Sequence, residues 1–566
     1  MRPTTRHLAL WLGFLLAGLA YLYHLDSLHI PNIGDESRYL QIARATAASG
    51  ALLPLRVDAG LDATKPPLLF WQGIAATDRG HAWNLWRLRL PLVAYTWLTA
   101  LLVGLLTVRA GGTRGDAGLA ALIYLACFST FQHGRPFLTN APETFYLFLP
   151  LLLLVGREFT WRVVLLAGLS LGIGALYKSF FLVVPVAAGF GLILWHRRGW
   201  RLGDFLRHDL TKVVAMAGLG IAIFSLWFVV EPEPGSVFRQ FVLGENLGKL
   251  GRGSFLAGLV SGTYPVWRVW LGDFLNVGLF TFCLAGLVWQ AGRRSRRSEP
   301  GSGLSTAERE VWLYVLAFLV VYTIPSQRQE NYILPTVAAF SVLLALSWSR
   351  LPIGLHRAGL ALAAVAEGML LWMMLRMPTA LPGTDYPGWM LFACALLLGL
   401  TLVALVRPLL TRAFFPAAAC GSLLFLGFAL SPFDRGFAPA AGGPGLEPLA
   451  GRTIWFPSNY KFRYERFRFL VPESHVEGYP GRIPGRGMET LDAGKVTALA
   501  VPVGDALPPG VTVYGEMYDL RTRLPSGDIS AIVLRGEVER LVYRLVIVEQ
   551  GPEREAPPGP EGPGGA

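Results

Sequence analysis

Long apolar stretches recur along the chain, and clusters of basic residues separate many of them. Runs near the roughly 20 residues that a membrane-crossing helix needs are centred on windows 8–24, 87–108, 115–131, 143–157, 162–177, 179–196, 213–230, 270–290, 311–325, 333–349, 358–376, 387–406 and 413–431. Windows 143–157 and 311–325 are short for a span and are expected to extend into their flanks. The pattern predicts a polytopic α-helical membrane protein of about 13 transmembrane helices. From about residue 446 to 550 the long runs give way to short alternating or β-rich stretches, such as TVYGEMYDL (512–520) and ERLVYRLVIVEQ (539–550). These predict a small mixed α/β domain outside the membrane. The expected organisation is therefore a transmembrane domain over 1–432, a soluble domain over 433–550, and a disordered Pro/Gly-rich tail, GPEREAPPGPEGPGGA, over 551–566.

Composition agrees with this picture. Of 566 residues, 53% are hydrophobic and 16% charged, against roughly 25% charged in soluble domains. The net charge of +12 would suit a nucleic-acid binder, but its distribution does not. With the N-terminus inside, the cytoplasmic loops hold Arg109 and Arg114, Arg157 and Arg162, the stretch HRRGWRLGDFLRHDLTK (196–212), RRSRR (293–297), Arg350 with Arg357, and Arg407 with Arg412. Every such loop is basic, as the positive-inside rule requires, so no nucleic-acid partner is expected. The first run follows Arg2 and Arg6 and lacks a clear small-residue cleavage site, which reads as an uncleaved signal anchor. Cys127, Cys283, Cys394 and Cys420 all fall in apolar runs, so they suggest neither a disulfide nor a metal site. No cofactor or metal is expected.

The opposite face receives the loop 25–86, a short loop 132–142, a turn at Lys178, the loop 231–269 and SQRQENY (326–332). Loop 25–86 begins with DESRYLQIARATAASGAL, whose Ile42, Ala45 and Ala48 fit a helix lying along the membrane surface. Asp35 and Glu36 stand at the start of that helix, where acids favour the positive end of its dipole. Arg38 follows, and Lys65 sits on the stiff turn KPP. Lys178 joins two apolar runs with almost no loop between them, and GENLGKLGRGSF (244–255) adds Glu245, Lys249 and Arg252. An acid among converging cations at a membrane face suits a phosphate-bearing lipid. The cations hold the phosphate, and the acid takes a proton from an attacking hydroxyl.

The order DExRY…IAR…KPPL…W, then a lysine at a short outer turn, then NYILP, resembles the GT-C superfamily of membrane glycosyltransferases. It is most similar to the group holding the lipid A aminoarabinose transferases and the dolichyl-phosphomannose protein mannosyltransferases. The resemblance covers roughly 1–350 and implies a catalytic role for the transmembrane domain. By it, Asp35 matches the essential first-loop acid, with Glu36, Arg38 and Tyr39 as its neighbours at the substrate. Lys65 and Lys178 match lysines that bind the lipid-linked phosphate, Tyr332 matches the tyrosine of the family's TYILP pattern, and Lys249 takes the basic position of an ENxGRF element. Two positions depart. Thr64 replaces the acid that precedes KPP in the aminoarabinose transferases, and Asn140 stands where the second outer loop usually offers Asp. Either Glu143, three residues on, takes over that role, or the chain does without it.

The implied reaction moves a sugar from a polyprenyl-phosphate donor to a glycolipid such as lipid A, a polysaccharide or a protein, with inversion. The chain is expected to act as a monomer among the lipids of a bacterial inner membrane, with its active site and C-terminal domain on the periplasmic side. A transporter or flippase of lipid-linked sugars is an alternative, but it should place its charges near the membrane midplane, whereas here they gather at one face. A membrane scaffold needs no acid–cation cluster. A catalytically silent relative and a polysaccharide polymerase or ligase complete the alternatives.

Overall fold

Helices occupy every predicted window. The computed structural model describes residues 3–31, 33–246, 248, 264–295, 303–440, 442–458, 462–479, 494–521 and 524–550. The expected tail 551–566 and Lys249 lie outside the described residues. Two units can be told apart. The first comprises Met1–Pro31, Tyr39–Met374 and Pro387–Ala429, and the second Asn32–Arg38, Leu375–Tyr386 and Leu430–Ala566.

The first unit is helical. Its elements begin with α1 (Pro3–Leu22), α2 (Gly34–Ala48, whose first residues belong to the second unit), the two-residue strands β1 (Arg56–Val57) and β2 (Gly60–Leu61), and α3 (Leu68–Ala76). There follow α4 (Leu85–Arg109), α5 (Arg114–Ala126), α6 (Phe128–Gly134), α7 (Asn140–Leu154), α8 (Trp161–Tyr177), α9 (Val183–Arg197), α10 (Leu202–His208) and α11 (Leu210–Val230). Eight helices among the described residues are long and apolar enough to cross a membrane, while α7 and α8 are shorter apolar helices. Their starts follow local sequence rules. Asn84 accepts from the Arg87 amide at the head of α4, and reciprocal capping boxes start α5 (Thr113, Asp116) and helix Thr306–Thr323 (Ser305, Glu308).

Window 270–290 is not one helix. It is split into Trp267–Trp270, Gly272–Asn276, Gly278–Phe280 and Thr281–Ser295. The break lies at Gly278, whose φ is +59°, and a Cβ there would come within 2.9 Å of the Phe128 Cβ. Only glycine combines that backbone with so close an approach. Basic residues between the helices also close helix ends. Arg197 pairs with buried Glu310 and donates to the Leu154 and Arg157 carbonyls, and Arg294 pairs with Glu308. Arg197, from a stretch expected to set topology, thus also satisfies orphan carbonyls.

The second unit carries a mixed sheet. Its strands are β3 (Ala438–Pro439), β4 (Thr453–Pro457), β5 (His475–Tyr479), β6 (Val496–Val501), β7 (Val511–Leu520) and β8 (Val542–Gln550), in the order β3-β7-β8-β6-β4-β5. β4 runs parallel to both β5 and β6, and the remaining pairs are antiparallel. The run LVIV in β8 is apolar throughout because both faces are covered. Leu545 and Ile547 join a cluster with Ile454, Phe456 and Phe467, while Val546 and Val548 join Leu499 and Val501. The stretch before helix Gly388–Val406 is fixed by Arg435, which donates to the carbonyls of Gly383 and Asp385.

Glu549 at the end of β8 is gripped by Arg452 through both oxygens and accepts from the Tyr514 hydroxyl. Arg452 and then Tyr514 hold its carboxyl below the usual glutamate range, against a smaller opposing push from burial. A lowered folded value contributes stability above the unfolded pKa of about 4.3, and that stability is lost as pH falls through the folded value. The second unit is therefore expected to become easier to cleave by an acid-active protease as pH drops below about 4. Glu549→Gln should flatten this dependence, and the partly exposed pair sets its size on the order of 1 kcal/mol.

Candidate active site

α8 ends at Tyr177. Lys178 caps it outside helical geometry, and Ser179 starts the next turn by accepting from the Phe181 amide. This tight reversal pins the lysine backbone between two helices. Its Nζ donates to Glu143 Oε2 at 2.6 Å and lies 5.3 Å from the centroid of the Tyr332 ring. Glu143 sits in the first turn of α7. Its side chain is 1% exposed, against 27% for Lys178. The second oxygen, Oε1, is buried and has no hydrogen-bond partner among the described residues. A buried carboxylate with one oxygen committed to a cation and one left open is poised to accept a hydrogen bond from an incoming group. Tyr332 packs on Tyr322, which in turn packs on Phe181.

A second cation stands in the same region. Lys65 Nζ donates to Glu245 Oε1 at 2.5 Å. Glu245 belongs to a π-helical stretch, Phe238–Asn246, and the next residue, Asn246, accepts from the Ser179 hydroxyl at 2.7 Å. Adjacent residues of one stretch thus hold Lys65 and the neighbour of Lys178. Ala63 and Ala175 share an apolar cluster with Phe224, Trp227 and Phe241, which packs the segment before Lys65 against the end of α8. The structure therefore gathers Lys65, Lys178, Glu143 and Tyr332, with Asn140 one turn before Glu143.

The remaining predicted residues are placed as follows. Asp35 and Glu36 stand in the first turn of α2, and Arg38 follows; all three fall in the second unit. Tyr39 packs edge-on against Phe70 of α3. Arg44 of the IAR stretch pairs with Asp58, which also accepts from Gln41, so that stretch ties α2 to the β1–β2 turn.

Several participants escaped the sequence reading. Asp62 is buried and accepts from both the hydroxyl (2.5 Å) and the amide (3.0 Å) of Thr64, so a carboxylate lies two residues from the position that lacks one. Its spacing before KPP was the available signal. Buried Arg328 donates to the carbonyls of Thr323 and Tyr264, which gives part of the SQRQENY motif a structural purpose. Tyr95, Tyr146 and Tyr177 link their hydroxyls, with Tyr177 donating to Gln72 of α3.

Beside Asn140 lies a cavity of about 10 Å³, lined by Thr96, Tyr124, Ser129, Thr130, His133, Asn140 and Thr144 together with Gly134, Ala141 and Leu334. His133 on α6 directs Nδ1 to the Ser129 carbonyl at 3.1 Å. A carbonyl can only accept, so Nδ1 carries the proton and Nε2 keeps a lone pair. Burial, with a smaller contribution from Lys178, lowers the imidazole to about 4, while Glu330 opposes the shift. The ring is neutral at pH 7.

The family model for dolichyl-phosphate-mannose-protein mannosyltransferase matches residues 32–233. Two curated relatives are undecaprenyl phosphate-alpha-4-amino-4-deoxy-L-arabinose arabinosyl transferases. That of Aeromonas salmonicida is 26% identical over 344 residues, and that of Erwinia tasmaniensis 27% over 358. Each alignment covers 58% of both chains, so the chain spans somewhat over half the length of the curated relatives it matches. Among solved structures, ArnT from Cupriavidus metallidurans in the apo state superposes with a TM-score of 0.59 at 16% identity, over 96% of this chain and 99% of that one. The same protein bound to undecaprenyl phosphate gives 0.56 at 17% identity, over 98% and 100%. Over nearly its whole length, the chain has the fold of ArnT from Cupriavidus metallidurans.

Proposed function

We propose that the chain is a glycosyltransferase that moves a sugar from a polyprenyl-phosphate donor to a glycolipid, polysaccharide or protein acceptor at the periplasmic face of a bacterial inner membrane. The observation that carries this reading is the buried Lys178–Glu143 pair, with one carboxylate oxygen open. Lys65 stands in the same region, and the likeness to proteins that use polyprenyl-linked sugars supports the donor class.

An acceptor oxygen attacks the anomeric carbon of the donor sugar. The new C–O bond forms as the bond to the lipid phosphate breaks, with inversion. The proton of the acceptor hydroxyl goes to a carboxylate, Asp35 in the first instance, while Glu143 Oε1 accepts a hydrogen bond from the reacting partners. Charge develops on the departing phosphate, and Lys65, Lys178 and Arg38 stabilise it, with Tyr332 packed beside Lys178. In a site of low dielectric, each such contact is worth a few kcal/mol in the transition state.

The test is transfer by the full-length protein in liposomes, given radiolabelled polyprenyl-phosphate sugars and crude envelope acceptor. Label should move into one acceptor fraction. Label that stays on the lipid for every sugar offered would sink the reading. Lys65→Ala is expected to raise the KM for the donor by about tenfold or more, since a hydrogen bond to a charged group contributes roughly 1.5–3 kcal/mol, with a smaller effect on kcat. Titration of initial rate against donor concentration measures this.

A further inference from the structure

The second unit carries one helix whose outer face is uncovered. Helix Ser526–Arg535 buries Ala531 and Ile532 and leaves Ile529, Val533 and Leu534 exposed by 49%, 53% and 82%. Positions four and five apart share one side of a helix, so the three aliphatic side chains form a single stripe, with Ser526 and Ser530 among them. The charged residues of the helix, Asp528 and Arg535, lie off that stripe. Asp528 is held by Arg521 and Arg540, and Arg535 by Glu537. Such a stripe differs from the singly scattered apolar side chains of an ordinary surface.

Strand register places this helix at a defined end of the sheet. β3 pairs antiparallel with β7, with Ala438 opposite Glu516. Following the chain back from Ala438 therefore runs forward along β7 toward Leu520. That direction leads to the 3-10 turn Ser431–Arg435, which packs against β7. The stretch Pro408–Arg435 is long and apolar enough to cross a membrane. β7 thus ends beside the point where the chain leaves a span, and helix Ser526–Arg535 begins shortly after Leu520. Arg435 also donates to the carbonyls of Gly383 and Asp385, which link Ile353–Ala380 to Gly388–Val406, two further stretches able to span.

Size and charge point to the occupant. The helix has 10 residues and spans about 15 Å. One face of it offers far less than the roughly 800 Å² per partner of a standard protein interface. A bilayer sets no such minimum, because the chain already tethers the unit to it. From 521 to 544 the sequence has five arginines against three acids, a balance that suits phosphate headgroups beside an apolar face.

We propose that helix Ser526–Arg535 lies on the membrane surface, with Ile529, Val533 and Leu534 among the headgroups and upper acyl chains. Its partner is the phospholipid bilayer in which the chain itself is embedded. This docking does not rest on the transferase reading. It holds the second unit at the lipid surface whatever reaction the chain carries out.

The experiment uses full-length protein in liposomes of phosphatidylethanolamine and phosphatidylglycerol. Ser530→Cys puts a nitroxide label within the stripe and leaves its three aliphatic side chains in place. Thr512→Cys, at the exposed start of β7, puts the same label at the other end of that strand, roughly 25 Å from Leu520. The native cysteines are buried, so mild labelling reaches the introduced thiol. Collisions with oxygen, which partitions into lipid, are measured against collisions with a water-soluble nickel chelate. The oxygen-to-nickel ratio should be about fivefold or more higher for Ser530→Cys than for Thr512→Cys, as suits a face buried about 5–10 Å into the boundary. Adding Ile529→Ser, Val533→Ser and Leu534→Ser should lower the ratio at position 530 to that of the Thr512→Cys protein, with thermal unfolding unchanged.

Equal ratios at the two positions overturn the proposal. So does a high ratio that survives the three serine substitutions, since the label itself would then be what enters the lipid. A label at position 530 shielded from oxygen and nickel alike would place protein over the helix, a second copy of the chain included, and overturns it too.

Discussion

Lys178→Met is expected to abolish transfer and to destabilise the protein, and the two effects can be separated. Glu143 is almost fully buried, and the ion pair with Lys178 is its recorded polar contact. Removing the lysine leaves an uncompensated charge in a low-dielectric setting, a change that costs about 3–5 kcal/mol in comparable pairs. Thermal unfolding of the single variant should therefore move clearly to lower temperature. The double variant Lys178→Met/Glu143→Leu removes both charges together and should recover most of that loss, because replacing a buried pair by apolar groups is often close to neutral. Transfer should not recover. One preorganised charge contact at a developing anion is worth roughly 10²–10³-fold in rate, and the double variant lacks both the cation and the open carboxylate oxygen. A double variant that unfolds like the wild type and also transfers sugar like it would remove this pair from the chemistry.

The second large effect is expected at Asp35. Asp35→Asn keeps the size and most of the hydrogen-bonding capacity of the side chain but cannot accept a proton. Asp35 stands in the first turn of α2. General base catalysis contributes about 10²–10⁴-fold, so kcat should fall by that order while polyprenyl phosphate binding changes little. The contrast with Lys65→Ala, which acts chiefly on KM, assigns the two residues different tasks. Full activity in the Asn variant would show that the acceptor reaches its reactive form without Asp35.

Much of the first unit was legible because a membrane imposes a simple rule on sequence. Backbone polar groups must be satisfied within the segment, so spanning stretches appear as long apolar runs. The second unit was legible in outline from β-rich stretches such as LVIV, whose two faces are covered by separate side-chain clusters. The split of window 270–290 was not legible. A glycine in an apolar run carries no sign of the approach to Phe128 that demands it. Lys178 and Lys65 could be picked out because charge is scarce at such positions, but their partners could not. Glu143 and Glu245 lie 35 and 180 residues away in the chain, and only the packing of α8 against its neighbours brings them near. His133 looked like an ordinary loop residue. The i,i+4 hydrogen bond to Ser129 that fixes its tautomer depends on α6, a short helix that starts at the end of window 115–131 and runs into the expected loop 132–142.

A protein that recognises a phosphorylated lipid works dissolved in phosphorylated lipids. The membrane around it presents phosphodiester headgroups at a vast excess over any donor, and two bare lysines at its surface would be occupied by that solvent. Here both lysines already rest against carboxylates. A passing headgroup must therefore compete with a partner tethered in place, at high effective concentration, and gains little by doing so. On the proposed reading, a donor would bring its sugar as well as its charge. The paired resting state would then set the two lysines against bulk headgroups and open them to a ligand that offers more than a single charge.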